Sequence, residues 1–558
     1  MEKIFIGVAW PYVSGYRHLG HVAGFAVPCD IFARYHRLAG NSVLMVSGSD
    51  MHGTPIMVRA EQENKPPAEV ATHYHNILDA NLKTLGISYD LYTSTETANH
   101  HETTQDFFSK MLERGYIHKK TQTQHYCVTC ARFLADRYVE GRCPFCSYEN
   151  ARGDQCDECG RPLEALELGD PRCKTCGATP EVRETEHFFL DLPEFRERLE
   201  AYVDEHHDIW RANVYQFTLN LLSETLRARA ITRDISWGVP VPVEGYEDKV
   251  IYVWFDAVIG YMSAAREWAA RRGTPEAWRE WWEDPEVKSF YFIGKDNIVF
   301  HTVIWPAMLM GYGLGRFNLP YDVVSTEFLT MEGRQLSGSR GHAIWLPDFL
   351  ERYDPDPLRF YLTVNAPETR DSDFSWSEFV RRNNDELVAK WGNFVNRVLS
   401  FTYKHFEGKV PEPADLSGED VELLSKVDET FLKVGDLIAA RRFKDSIREL
   451  MVLWDRANVW IDRAEPWKVI KTDRARAATS LWTAIQAISG MKTLSLPYMP
   501  TTAQQCHELL GLSGAAAERR WRREEVPAGQ PLAKPSPLFK KLDESIVDEE
   551  IERMKRQG

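Results

Sequence analysis

Residues 4–21 read IFIGVAWPYVSGYRHLGH, and the fold follows from how this run is divided. The apolar IFIGV is short, rich in Ile and Val, and closed by Pro11 and Gly15, so it fits a central strand of a parallel sheet better than a helix. The next segment, VAGFAVPCDIFARYHRLAG (residues 22–40), has the apolar spacing of a helix that stops at Gly40. A loop leaving such a strand lies at the carboxyl edge of the sheet, where ligands bind in open α/β folds. His18 and His21, around Gly20, are therefore predicted to face an anion at a helix N-terminus.

The outer limits are ordinary. The chain has 558 residues, 43% of them apolar and 27% charged, enough for roughly three or four soluble domains. No apolar run approaches the ~18 residues of a membrane span, and the apolar start lacks a charged leader, so a cytoplasmic location without membrane contact is expected. A net charge of -15 argues against a surface coated for non-specific nucleic-acid binding but leaves room for a local basic patch.

Cysteine says more. Eight of the ten cysteines form C-x-x-C pairs: Cys127/Cys130, Cys143/Cys146, Cys156/Cys159 and Cys173/Cys176. In a reducing compartment this is the ligand count of two closed, four-thiolate Zn2+ sites, with no coordination position left for catalysis. Cys29 and Cys506 stand apart and read as buried thiols. Further apolar runs flank the cysteine-rich insert: NSVLMVSGSDMHGTP, with Asp50 and His52 at a strand end, then KVIYVWFDAVIGYMSA and SFYFIGKDNIVFHTVIWPAML, both read as strands entering helices. Strand–helix alternation on both sides of an insert implies one parallel sheet interrupted in sequence, an α/β Rossmann-type fold. From about residue 376 only amphipathic helical patterns remain, which implies a helical bundle.

Taken in order, these segments resemble the class I aminoacyl-tRNA synthetases, and among them the methionine-specific branch. RHLGH is similar to the His-Ile-Gly-His signature, SDMHGTP and YVWFDAVIGY to methionine-pocket segments, and FIGKDNIVFH to the adenosine segment. MEGRQLSGSRG stands at the second, Lys-Met-Ser-Lys-Ser, signature. NFVNR and EPW are similar to anticodon-reading elements. The resemblance implies a catalytic Rossmann domain in two halves (1–118 and 251–325), split by a connective insertion (119–250) with zinc knuckles at 119–187. A second-signature and stem-contact region (326–375), a helical anticodon-binding domain (376–515) and a linker with helical tail (516–558) would follow. It further implies ligation of L-methionine to initiator and elongator methionine tRNA by a monomer, with ATP and Mg2+ as substrate and two structural Zn2+ sites. Nested pairing is expected for these, Cys127, Cys130, Cys173 and Cys176 against Cys143, Cys146, Cys156 and Cys159, with adjacent pairing as the rival.

The reaction that the resemblance implies is in-line attack of a carboxylate on the α-phosphorus of ATP, for which the site would have to position two anions and spread charge. The resemblance makes His18, His21 and Arg233 the catalytic group. It assigns ATP to His18, Gly20, His21, Gly294, Asp296, Gln335, Ser337, Gly338 and Ser339. Asp50 would pair with the methionine ammonium, while Ala9, Trp10, Tyr12, Trp254, Ala257, Tyr261 and His301 enclose the amino acid, aromatic neighbours suiting a thioether. Asn393 and Arg397, with Lys390 at i, i+3 and i+7 on one helical face, and an exposed Trp467 would read unstacked bases.

Departures from the family pattern cluster near the reacting groups: PYVSG, Met51, Val258, and Gln335 and Gly338 where the second signature has lysines, with Arg334 and Arg340 flanking. They motivate two alternatives, a relative that adenylates an amino acid for a non-tRNA acceptor and a non-catalytic tRNA-binding relative.

Overall fold

The computed structural model describes residues 1–557 apart from 154, 155, 157, 160, 162, 225 and 337–341. Five strands, β1 (Lys3–Val8), β2 (Ser42–Ser49), β3 (Leu91–Ser94), β6 (Lys288–Gly294) and β7 (Asp322–Thr326), form one sheet in the order β7-β6-β1-β2-β3. Every neighbouring pair is parallel, with Ile6 opposite both Met45 and Phe290. Alternate residues feed two cores. Ile4, Ile6 and Val8 pack with Phe32, Phe292 and the helical region, whereas Phe5, Leu44, Tyr291 and Val323 pack with the Ala98–Glu113 and Val253–Arg271 helices. Burial on both faces is why β1 reads as a continuous apolar run.

The segment after β1 is helical from Leu19 to Leu38, with a widened turn at Val22–Ala26. Pro28 is the reason. It offers no N–H to the Gly24 carbonyl, which instead accepts from the Thr326 hydroxyl at 2.9 Å. The same device recurs at Phe300–Ile304, just before Pro306 in the Trp305–Gly313 helix.

Between β3 and β6 the chain leaves the sheet along β4 (Ile117–Cys127) and returns along β5 (Glu181–Leu190), antiparallel with Ile117 opposite Leu190. The cysteine pairs sit at the far end of this arm. They dock on the Thr54–Glu63 helix, where Glu61 accepts from Arg132 at 2.8 Å and from the Tyr138 hydroxyl at 3.0 Å. One reading is corrected here: in KVIYVWFDAVIGYMSA only Val250–Ile251 is extended, and it pairs antiparallel with Thr232–Arg233 outside the main sheet. The rest is the Val253–Arg271 helix. A short apolar run does not distinguish a buried strand from a buried helix, and here the i, i+3, i+7 spacing of Trp254, Ala257 and Tyr261 was the decisive pattern.

From Trp376 the chain is helical through a long widened turn (Asn383–Gly392) to His405. Three further helices, Gly418–Ala439, Phe443–Ala464 and Arg474–Ser495, complete the bundle. The last of these is buried nearly throughout, which its small residues permit. Its core is continuous with one face of the sheet. The tail helix (Ile546–Gln557) folds back, and its buried Glu550 accepts from Arg352 at 2.9 and 3.0 Å and from the Tyr353 hydroxyl at 2.8 Å. Among the described residues no helix is long and apolar enough to cross a membrane.

Candidate active site

Strand order reverses between β1 and β6, and the crevice beyond their carboxyl ends is the switch point at which such sheets bind ligands. The first residue after β1 is still tied to β6, Ala9 N–H donating to the Phe292 carbonyl at 3.0 Å.

One wall is an aromatic pocket whose polar groups are nearly all partnered. His301 Nδ1 lies 2.8 Å from the Asn297 carbonyl, so it carries the proton, and Nε2 accepts from the Tyr261 hydroxyl at 2.7 Å. Burial holds His301 down at about 4, hence neutral. The Trp254 indole donates to the Tyr12 hydroxyl at 2.9 Å and packs edge-on against Phe300. Trp10 is clasped between two glycines: a Cβ on Gly48 would approach its ring to 2.4 Å and one on Gly260 to 2.7 Å. Ala257 is half-buried on the same helix. The structure thus brings Ala9, Trp10, Tyr12, Trp254, Ala257, Tyr261 and His301 to one crevice from β1, the Val253–Arg271 helix and the turn after β6.

Asp50 closes the pocket at the end of β2. It is 2% exposed and accepts from the His52 N–H at 3.1 Å. Burial first, and Asp256 second, push its carboxyl well above the usual range, so a cation beside it is strongly favoured. Behind it lies a network not assembled from the sequence. His52 faces carboxylates with both ring nitrogens, Asp256 at 2.6 Å and Glu96 at 2.8 Å. It therefore holds both protons, the carboxylates outweighing burial and raising it to about 10. Asp256 also binds the buried His100. The separation of 204 positions between His52 and Asp256 gave no local pattern to read.

The other wall belongs to His18 and His21. Their rings stand 3.9 Å apart at the helix start, with the His18 N–H donating to His21 Nδ1 at 3.3 Å. Burial lowers His18 to about 3 and takes His21 well below its ordinary value, so both are neutral imidazoles. Gly20 separates them because a Cβ there would lie 3.0 Å from His18 Nδ1 and 3.2 Å from Leu336. The second-signature segment is tied to the same turn through Leu19 N–H to the Ile344 carbonyl (3.1 Å) and Leu346 N–H to the Arg17 carbonyl (2.8 Å). Gln335 is exposed on a short hairpin strand, whereas Ser337, Gly338 and Ser339 lie outside the described residues. Gly294 opens onto space in which a side chain would meet nothing within 4 Å, and Asp296 stands exposed on the turn beyond it. Arg233, which alone reads as a surface arginine, is half-buried: its guanidinium lies 3.6 Å over the Tyr252 ring and donates to the Ala230 and Thr232 carbonyls.

In the bundle, Asn393 is exposed and Arg397 lies one turn on. Trp467 differs from its reading as an exposed side chain. It is half-buried, with the Arg397 guanidinium 4.4 Å over one ring face. Arg397 also pairs with Asp462 at 2.8 Å, and Lys390 with Asp455 at 2.8 Å, so neither is a free cation.

The thiols gather in two groups, Cys127, Cys130, Cys173 and Cys176, and Cys143, Cys146, Cys156 and Cys159, with all four ligand atoms of each within 4.8 Å. Four of the Sγ–Sγ separations are 3.5, 3.8, 3.9 and 3.6 Å. A tetrahedral Zn2+ with Zn–S near 2.3 Å requires about 3.8 Å, so both groups fit that ion.

A switch-point crevice with paired histidines at a helix start, an inserted thiol arm and a helical bundle define a class I tRNA synthetase. The family model described as tRNA synthetases class I (M) matches residues 4–399, and that of the anticodon binding domain of methionyl tRNA ligase matches residues 410–557. The chain belongs to the methionyl-tRNA synthetase family. It is 52% identical over 583 residues to a methionine–tRNA ligase of Thermomicrobium roseum, with 100% of both chains covered. It is 53% identical over 553 residues to one of Dehalococcoides mccartyi, with 99% of both covered. Among solved structures, Mycobacterium tuberculosis methionyl-tRNA synthetase in complex with methionyl-adenylate is similar at a TM-score of 0.79 and 25% identity, over 97% of this chain and 100% of that one.

Proposed function

We infer that this chain activates L-methionine with ATP to methionyl-adenylate and transfers the methionyl group to the 3′ end of methionine tRNA, releasing AMP and pyrophosphate. The activity is that of a methionine–tRNA ligase. The observation that carries the residue roles is the convergence, in one crevice, of a buried carboxylate with raised proton affinity and two neutral imidazoles at a helix N-terminus.

In this reading Asp50 binds the ammonium, and its unfavourable burial is relieved by that contact. Tyr261 and His301, locked to each other, close the far end against side chains that bring charge. Ala9, Trp10, Tyr12, Trp254 and Ala257 enclose the thioether. The substrate carboxylate attacks the α-phosphorus, and charge moves toward the leaving pyrophosphate. His18 and His21 each keep one N–H to donate to phosphate oxygens, and Arg233 offers a cation on the insertion side. ATP enters with Mg2+ as substrate. Gly294 and Asp296 receive the ribose, and Gln335 with Ser337, Gly338 and Ser339 covers the phosphates. Asn393, Arg397 and Trp467 form the base-reading face, the Arg397–Asp462 pair opening or shifting as a base arrives. Zn2+ in the two thiolate groups holds the arm in shape. Activity in translation supports a cytoplasmic location.

Methionine-dependent ATP–pyrophosphate exchange, run across all twenty amino acids and followed by charging of methionine tRNA, tests this reading. Exchange with another amino acid but not methionine overturns the pocket assignment. Metal analysis should find two zinc equivalents per chain and one in Cys130→Ser.

A further inference from the structure

The side chain left unexplained by these roles is Arg17, immediately before His18. Its Nε and Nη2 are buried and have no hydrogen-bond partner, and it joins no ion pair among the described residues. Its one polar contact, Nη1 to His21 Nε2 at 3.4 Å, cannot satisfy it. A neutral imidazole has a single lone-pair nitrogen, and His21 Nδ1 already faces the His18 N–H at 3.3 Å. Two donors therefore compete for one acceptor, and three guanidinium nitrogens crowd the turn that begins the helix. Burial lowers Arg17 only to about 10, so it stays charged at neutral pH. Its charge is felt by Tyr92 and by Asp50, which the reading above commits to the methionine ammonium. Leaving a desolvated guanidinium unmatched is costly unless an anion arrives to meet it.

Residues 327–345 contain no lysine, and their arginines are Arg334 and Arg340. Arg334 is exposed on its hairpin strand. Among the described residues, the cation that touches the histidine pair therefore comes from the first signature.

We propose that Arg17 is a binding residue for the ATP phosphate chain, supplying positive charge beside His18 and His21 in a chain whose second loop has no lysine. The inference rests on the ligase reading. A phosphate oxygen accepts from Nη1 or Nη2, which frees His21 to accept from the His18 N–H alone and fixes its remaining proton on Nε2, toward the phosphates. Charge growing on the departing pyrophosphate strengthens the same contact, so Arg17 should matter more in the transition state than in binding.

The test is methionine-dependent ATP–pyrophosphate exchange with Arg17→Leu, Arg17→Gln and Arg17→Lys in the full chain. In Arg17→Leu and Arg17→Gln, kcat/KM for ATP should fall on the order of 10- to 100-fold, while KM for methionine stays within about twofold. Arg17→Lys should keep most of the activity, since it retains the charge and N–H donors for a phosphate oxygen. Thermal unfolding supplies the control: Arg17→Leu removes two unpaired buried donors, so its midpoint should equal or exceed that of the parent. The proposal is overturned if Arg17→Leu or Arg17→Gln keeps the parent kcat/KM for ATP. It is equally overturned if Arg17→Leu loses thermal midpoint and methionine affinity together, which marks a packing residue. A parent chain without methionine-dependent exchange would fail the ligase reading itself, an outcome distinct from either.

Discussion

The two ends of the crevice are built differently. At the end proposed for the amino acid the protein satisfies its own polar groups apart from Trp10 Nε1: Tyr261 with His301, Trp254 with Tyr12, and His52 with Asp256 and Glu96. At the end proposed for the phosphates donors outnumber acceptors, and His18 Nδ1 and two nitrogens of Arg17 are buried without hydrogen-bond partners. A pocket that must reject near-isosteres of methionine gains from being finished before the substrate enters, because a rigid wall makes every mismatch costly. A site for a polyanion gains from unspent donors, because they act where charge develops. Selectivity and rate thus fall on opposite sides of one sheet edge.

This contrast can be broken at several points. The largest effect should come from Asp50→Ala, which removes the carboxylate facing a desolvated ammonium. It should weaken methionine by about 2 to 5 kcal/mol in KM while leaving KM for ATP nearly unchanged. If both constants move together, the two ends are not separate.

Next is the buried, neutral His301. Its folded value of about 4 lies below the ordinary 6.5, so the unfolded chain binds more protons between those pH values and stability is lost as pH falls through that window. Denaturant titrations from pH 7 to pH 4 should show a slope in the parent that flattens in His301→Gln, by up to about 3 kcal/mol. An unchanged slope means that the fold does not lower the proton affinity of His301.

Gly260→Ala drives a methyl to within 2.7 Å of Trp10. Overpacking of this kind costs about 1 to 3 kcal/mol, and it should appear in methionine affinity rather than in the ATP constants. The smallest change belongs to the bundle. With Arg397 already over one face of Trp467, Trp467→Ala should lower methionine-tRNA charging by about 1 kcal/mol and leave tRNA-independent exchange alone. Loss of exchange in that variant would couple the bundle to the crevice and remove the separation.

Much of this was legible in residues 4–21. A strand buried on both faces must be apolar at successive positions, and a helix that starts at a sheet edge must expose its first N–H groups, so IFIGV and RHLGH declared the parallel sheet and its ligand edge. The thiol arm was equally plain, because metal ligands come in short fixed spacings. YVWFDAVIGY was less so, since strand and helix bury apolar residues alike over ten positions, and only the i, i+3, i+7 spacing of Trp254, Ala257 and Tyr261 spoke for the helix.

What the sequence by itself determined is therefore whatever depends on neighbours along the chain: the strand–loop–helix turn of His18 and His21, the eight thiol ligands, and the amphipathic bundle beyond Trp376. Only the tertiary structure decided which C-x-x-C pairs meet, that His52 and Asp256 brace Asp50, that Arg397 covers Trp467, and that two guanidinium nitrogens of Arg17 are buried without a hydrogen-bond partner. Each of these is set by the distance between groups far apart in the chain or by the water excluded around them. Coulombic and desolvation energies depend on both, and residue order encodes neither locally.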